Sequence, residues 1–436
     1  MNTGSAASAA DDAAAISAGT RPTRPRPLNG LRVLDLTTFL SGPFCTQILA
    51  DLGADVVKVE SPEGDSSRHI PPFFVGPDSA YFLSTNRTKR SIVVDLKSAD
   101  GRSVIRDLAS RSDVVVENFR PGVAARLGLD PAEIRLRNPA TVWVSISGFG
   151  QTGPWRDRPA YDIIVQALSG VMSLTGEPGA PAMRLGIPAG DLVAGMYAAI
   201  AVLAAVVERQ HTGTGRVADI SMLDGQLSML SYQAVYATVG WITPQPQGSR
   251  HDSIPTYRSF VAGDGREFVV AANTERMWAS LCDVLGLAHL VRDPRFGTAA
   301  ARLEHQDDLA RLLEAGFLSA GAEAWVDRLV ERAVPAALIK TVPEALDDAR
   351  SAGRGMIVPL AGPDGRVVET VATPIRFAGA GLAGHRFPPR LGADAVEILG
   401  ELGYTALQIA GLRDRGALPP APAGDPGAPS AGADEA

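Results

Sequence analysis

The chain has 436 residues, of which 45% are hydrophobic and 20% charged, and its formal net charge is −7. That balance belongs to a folded globular protein with more than one compact core, and the acidic excess supplies no positive field for nucleic acid or anionic lipid. Two lone cysteines, Cys45 and Cys282, and six scattered histidines rule out a disulfide framework and a metal-ligand pattern, and they fit a reducing cytoplasm.

Residues 1–27 carry Asp11 and Asp12 inside their apolar stretch, which breaks a signal-peptide pattern, so this segment is read as a disordered tail. Leu31–Thr37 and Ala54–Glu60 are short apolar runs. Between them GPFCTQILADLG has helical spacing and stops at Gly53, a strand–helix–strand unit that calls for a parallel sheet. The rhythm repeats through Ser91–Lys97, Asp113–Phe119 and Thr141–Ser147. Strands this apolar on both faces belong inside an α/β sandwich. Helical segments over Asp162–Leu174 and Leu192–Gln210 follow. The second holds MYAAIAVLAAVV, too short a run to cross a bilayer, and is read as a core helix with Met196 inside.

ADISMLDGQLSML then adds one strand and one helix. Residues 240–256 are rich in Pro, Gly, Ser and Asp and read as an exposed connection. YRSFVAGDGREFVVAA places two extended runs around Gly263-Asp264-Gly265, a hairpin signal. Three helical stretches come next, with Trp325 in their core, and from Val342 helix and strand segments return toward the first domain. The Pro-, Ala- and Gly-rich end reads as a second disordered tail. The expected layout is therefore 28–225 with 342–412 as a large domain, 257–335 as a small one, 226–256 and 336–341 as linkers, and 1–27 and 413–436 as tails. The turn after the first strand, TTFLSGPFCTQ, lacks G-x-G-x-x-G, and no P-loop, G-x-S-x-G or kinase set occurs.

Several stretches, in one order from Leu28 to about Leu412, together resemble the family III CoA-transferases, the CaiB/BaiF family. They include LNGLRVLDLTTFLSGPFCTQILADLGADVVKVESPEGD, NRTKRSIVVDLK, DVVVENFRPGVAARLGL, ISGFGQTGPWRDRPAYDIIVQALSGVMSLTGEP and GDLVAGMYAAIAVLAAVVERQHTGTGR. The resemblance implies a Rossmann-like large domain formed by both chain ends, a smaller α+β middle domain, and an interlocked homodimer. It implies CoA transfer from an acyl-CoA thioester to a small carboxylic acid, with no permanently bound cofactor, no metal, and neither nucleic acid nor membrane as partner. In the mechanism the resemblance implies, an enzyme carboxylate attacks the thioester to give a mixed anhydride. The thiolate then forms an enzyme–CoA thioester, which passes CoA to the acceptor, so that one hard exchange is split into easier steps.

The family's attacking Asp precedes a long apolar helix in a G-D-x-x-x-G pattern, here Gly190 to Gly195, which makes Asp191 the candidate nucleophile. At a helix start the same residue serves equally as a simple cap, and the helix end is expected to lower its pKa. Asp162, also at a predicted helix start, matches the proton-transferring Asp of related racemases. Their His partner is missing from RLGLDPAEIRLRNPA, which disfavours an epimerase or isomerase that exchanges an α-proton. A degenerate member that only binds CoA esters is the remaining alternative. By the same resemblance Thr38, Phe39, Leu40 and Ser41 lie along CoA, with Val94, Lys97, Asn118, Phe119 and Arg126 as further contacts. Taken alone, Lys97 and Arg126 read equally as solvated surface charges. Leu40 and Ser61 stand where some relatives are polar or basic, and GWITPQPQGSR lacks the glycine run of formyl-CoA transferases. Asp35, on the first strand, is expected to be a hydrogen-bonded structural residue.

Overall fold

The computed structural model describes residues 25–377 and 384–420. Most of the two expected tails, 1–24 and 421–436, lies outside the described residues. Past the expected boundary at 412, a helix runs to Asp414 and both Ala417 and Leu418 are buried. The chain divides into two compact units. One takes the chain up to Ser169, Leu185–Ser231 and the chain from Ala352 on; the other takes Gly170–Arg184 and Tyr232–Ser351.

The first unit is built on six strands: β1 (Arg32–Leu36), β2 (Asp55–Glu60), β3 (Arg90–Val93), β4 (Val114–Glu117), β5 (Val142–Ser147) and β6 (Val217–Ser221). All pair in parallel, in the order β3-β2-β1-β4-β5-β6. Six helices concern the site: α1 (Ser41–Asp51), α2 (Ala80–Thr85), α3 (Ala99–Arg111), α4 (Asp162–Leu168), α5 (Ala189–Thr212) and α6 (Met222–Met229). Successive strand residues feed opposite layers, as the two-residue period requires. Leu34, Val57 and Val115 pack with Ile105 of α3 and with Leu399 and Leu412 near the C-terminus. Val33, Val56, Val114 and Val116 pack with Leu49 of α1 and with Ala194, Ala198 and Val202 of α5. Both faces are covered, which is why these strands read as unbroken apolar runs. The strand order reverses between β1 and β4, and in open parallel sheets a ligand crevice forms at that point, beyond the strand C-termini.

Two expectations change here. The helix expected over 162–174 stops at Leu168, because Gly170 takes φ +86° and a 3₁₀ turn, Val171–Leu174, follows. The apolar helix is also longer than expected, 24 residues, and meets the length and hydropathy of a membrane span. Its Gly/Ala stripe packs on the sheet and α1, whereas Met196 is 43% exposed and no part of the core.

In the second unit the predicted hairpin forms from Tyr257–Val261 and Glu267–Ala271, antiparallel, with Ala336–Leu338 as a third strand. Helices Glu275–Val284, Gln306–Phe317 and Ala322–Glu331 cover it. Phe260, Phe268, Phe317 and Trp325 form the aromatic centre of its core.

Candidate active site

The chain leaves β1 through a turn that buried charges hold from behind. Asp35 is fully buried and accepts bonds from the Thr37 N–H (2.9 Å), the Thr46 hydroxyl (2.6 Å) and the Lys89 ammonium (3.0 Å). Burial by itself would raise its pKa. Lys89 and Lys58 beside it, with the hydroxyls of Thr37 and Thr46, win and hold it far below the usual carboxylate range. Asp35 is therefore a structural carboxylate, as its residue type on a core strand suggests. Lys58 pairs with Asp65 at 2.8 Å and also donates to the Thr37 carbonyl at 2.8 Å. Asp65 in turn accepts the Phe39 N–H at 3.3 Å. Phe39 sits at φ +64°, an uncommon backbone for a bulky residue, and its ring meets Tyr161 edge-on at 6.4 Å. Thr38 is tied to the neighbouring strand end: its N–H donates to Asn118 Oδ1 (2.9 Å) and its carbonyl accepts from Asn118 Nδ2 (2.8 Å). Leu40 is buried and caps α1, which Ser41 opens.

The G-D-x-x-x-G stretch brings α5 against this turn. At Gly195 an ideal β-carbon would lie 2.6 Å from the Ser41 carbonyl oxygen. At Gly190 one would lie 2.7 Å from Val165 Cγ2 and 3.0 Å from Asp162 Oδ1. Both glycines are thus conditions of close approach. Between them Asp191 stands as the third residue of the helix, whose cap is Pro188, so Asp191 is not the cap itself. Ser41 supplies both its backbone N–H and its hydroxyl to the Asp191 carboxylate.

The sequence expects the helix end to lower the pKa of Asp191. Instead burial and the like charge of Asp162 push it up to about 6, and the Ser41 donors offset only part of that rise. Asp162 does not cap its own helix either. Its Oδ1 accepts the Gly190 N–H at 2.7 Å and its Oδ2 accepts Gln166 Nε2 at 2.6 Å. Tyr81, on α2, faces the same carboxylates: burial and the charges of Asp191, Asp162 and Asp65 raise its phenol to about 12, so it stays protonated and remains a hydrogen-bond donor. Nothing in AYFLST marks Tyr81 from sequence, because only the fold brings it within reach of the Asp191 and Asp162 charges.

At the reversal of strand order, a cavity of about 110 Å³ opens between Leu36, Thr38, Val59, Ser61, Leu96 and Phe119. Of the expected CoA contacts, Thr38 and Phe119 line it, and Asn118 locks Thr38 in place. Val94 is fully buried in the core below, with its N–H on the Glu60 carbonyl. Lys97 is exposed, and its backbone N–H donates to Asp95 Oδ1. Arg126 is exposed at the end of the short helix Val123–Arg126, where it and Arg156 both approach Gly122. Among the described residues no cluster of His, Cys, Asp and Glu suits a metal ion.

A model of CoA-transferase family III matches residues 28–395. Over 388 residues the chain is 37% identical to the succinate–glutarate CoA-transferase of Agrobacterium fabrum, covering 87% of this chain and 97% of that protein. It is 38% identical over 363 residues to the acetyl-CoA:oxalate CoA-transferase of Acetobacter aceti, covering 83% and 92% respectively. The solved structure of a CaiB/BaiF family protein from Brucella suis superposes with a TM-score of 0.78 at 36% identity, covering 87% of this chain and all of that one.

Proposed function

The chain belongs to CoA-transferase family III, and from that premise we propose that Asp191 carries CoA between an acyl-CoA and a carboxylic acid as a covalent intermediate. It is a CoA-transferase by its relatives. The observation that supports Asp191 is its position: a largely buried carboxylate with a pKa near 6, facing two Ser41 donors across a glycine-enforced contact.

A carboxylate with that pKa is about nine-tenths ionised at pH 7 and more basic than an exposed aspartate, hence a stronger nucleophile. Its oxygen bonds to the thioester carbonyl carbon, the C–S bond breaks, and CoA leaves as thiolate, giving an acyl–aspartyl anhydride. The thiolate then attacks the aspartyl carbonyl, releasing the donor acid and leaving an aspartyl–CoA thioester. An acceptor carboxylate repeats the sequence in reverse, ending with a new acyl-CoA and free Asp191. N–H and O–H donors near the carbonyl oxygens lower each tetrahedral barrier; Ser41 and Tyr81 are the donors at hand.

The cavity beside Thr38 and Phe119 has apolar walls with a polar edge, which suits the adenine ring of CoA. Relatives named for succinate, glutarate and oxalate support short dicarboxylic acids as the exchanged pair. An epimerase reading is weaker: both oxygens of Asp162 already accept hydrogen bonds, and RLGLDPAEIRLRNPA lacks the His that related racemases pair with this Asp.

Exchange of label between a free dicarboxylic acid and its CoA ester is the expected activity, and Asp191→Asn should reduce it at least about a thousandfold. A trapped CoA adduct that digestion and mass spectrometry locate on any residue other than Asp191 would overturn the assignment. We further propose a homodimer. On α5 the side chains of Met196, Tyr197 and Ile200 are exposed within one helical turn, and Val239, Trp241 and Ile242 are exposed in the second unit; clustered apolar side chains of this kind mark interaction surfaces. Light scattering should give twice 45.6 kDa; the mass of one chain would remove the proposal.

A further inference from the structure

The role of Asp162 becomes clearer from the residue one helical turn after it. Gln166 is fully buried on α4. Its Nε2 donates to Asp162 Oδ2 at 2.6 Å, and its Oε1 accepts the Leu185 N–H at 2.9 Å. Asp162 Oδ1 accepts the Gly190 N–H at 2.7 Å. Two side chains on one face of α4 therefore hold the two ends of the run from Leu185 to Gly190, and they are bonded to each other. Asp191 is the next residue along the chain.

We propose that Gln166 is a positioning residue for the transferase reaction: with Asp162 it clamps the Leu185–Gly190 run at both ends, and so fixes where α5 begins and where the Asp191 carboxylate points. The inference rests on Asp191 being the nucleophile. Only a side chain that donates and accepts at once completes this bridge, which a carboxamide does and neither Leu nor ionised Glu can. The clamp closes without slack, because Gly190 has no room for a β-carbon on the Val165 and Asp162 side. A second side-chain amide backs it. Ser169 donates to Gln226 Oε1 at 3.0 Å, leaving the buried Gln226 Nε2 without a bond among the described residues and 3.6 Å from where that β-carbon would sit. The groups facing Asp191 are then Asp162 from α4, Tyr81 from α2 and Ser41 from the start of α1. Displacing the run by a fraction of an ångström changes the angle of attack, which catalysis feels far more than binding does.

The test compares Gln166→Leu and Gln166→Glu with the parent in dicarboxylate–CoA exchange from about pH 5 to pH 8, where the acid limb reports the nucleophile. Gln166→Leu should lower kcat by about tenfold or more while the KM for acyl-CoA stays within about twofold. Gln166→Glu keeps the shape and the acceptor toward Leu185 but adds a carboxylate beside Asp162, so the acid limb of kcat/KM should move up by about half a pH unit. Loss of fold alone does not move a limb, so Gln166→Glu decides the matter if Gln166→Leu does not fold. Parental kcat and an unmoved limb in folded variants would overturn the clamp while leaving Asp191 in place. Exchange that survives in Asp191→Asn would instead bring down the reading on which the clamp rests.

Discussion

Asp35 and Asp191 are buried or largely buried carboxylates near the same edge of the parallel sheet, and their surroundings push them in opposite directions. Asp35 has Lys89 in contact at 3.0 Å, Lys58 nearby, and a ring of hydroxyl and N–H donors. Asp191 faces another carboxylate, a protonated phenol and Ser41, and among the described residues no cation lowers its pKa. Burial acts the same way on both. What differs is the sign of the neighbouring charge, and that separates a carboxylate that holds a turn in shape from one left more basic, as the proposed attack on a thioester requires. The price of Asp35's stability falls partly on its partner: burial and the charge of Lys58 pull Lys89 down to about 8 although Asp35 pushes the other way.

Removing a cation from the first region should have the larger effect on stability. Lys89→Met leaves Asp35 short of a counter-charge and strips a donor from the Pro43 carbonyl and Asn86 Oδ1. A cost of about 3–5 kcal/mol in unfolding free energy is expected. A loss under about 1 kcal/mol by denaturant titration would show that Lys58 and the hydroxyls suffice. In the second region the same kind of change should stabilise. Asp191→Asn, the variant proposed to end exchange, removes a charge the fold disfavours, and the gain at pH 7 is up to about 3 kcal/mol if the full rise from 3.8 to about 6 is recovered. The signs run in opposite senses. Because the folded pKa of Asp191 is raised, its ionisation costs stability as pH climbs from about 3.8 to about 6, and the benefit of Asp191→Asn should vanish below that window. Asp35, held below its ordinary 3.8, contributes stability that is present above that value and is lost only on acidification beyond it. Melting curves of Asp191→Asn at pH 7 and near pH 4 check this; a variant less stable than the parent at pH 7 would contradict the contrast.

Much of the first region could be read ahead of the structure. An Asp on an apolar strand has to be hydrogen-bonded, and the first strand, its turn and the following helix fall where their residue pattern puts them. Asp191 was singled out only by the family resemblance of its G-D-x-x-x-G stretch, and its expected helix-end effect has the wrong sign. Asp162, read either as a helix cap or as a charge that shapes the surroundings of Asp191, is not a cap: its charge raises the Asp191 pKa and it bonds a backbone N–H 28 residues away. Gln166 and Tyr81 carried no signal at all.

The sequence by itself determined the parallel strands, the hairpin and the place of the apolar helix, because unbroken apolar runs, a Gly-Asp-Gly turn between extended runs and a long apolar stretch are each written into neighbouring residues. The choice of Asp191 came from the family resemblance of the stretch Gly190 to Gly195. The tertiary structure alone decided what kind of acid Asp191 is, since that depends on charges and donors delivered by α1, α2 and α4. Electrostatic energy follows distance in space and the water excluded between groups, and neither quantity is a function of separation along the chain.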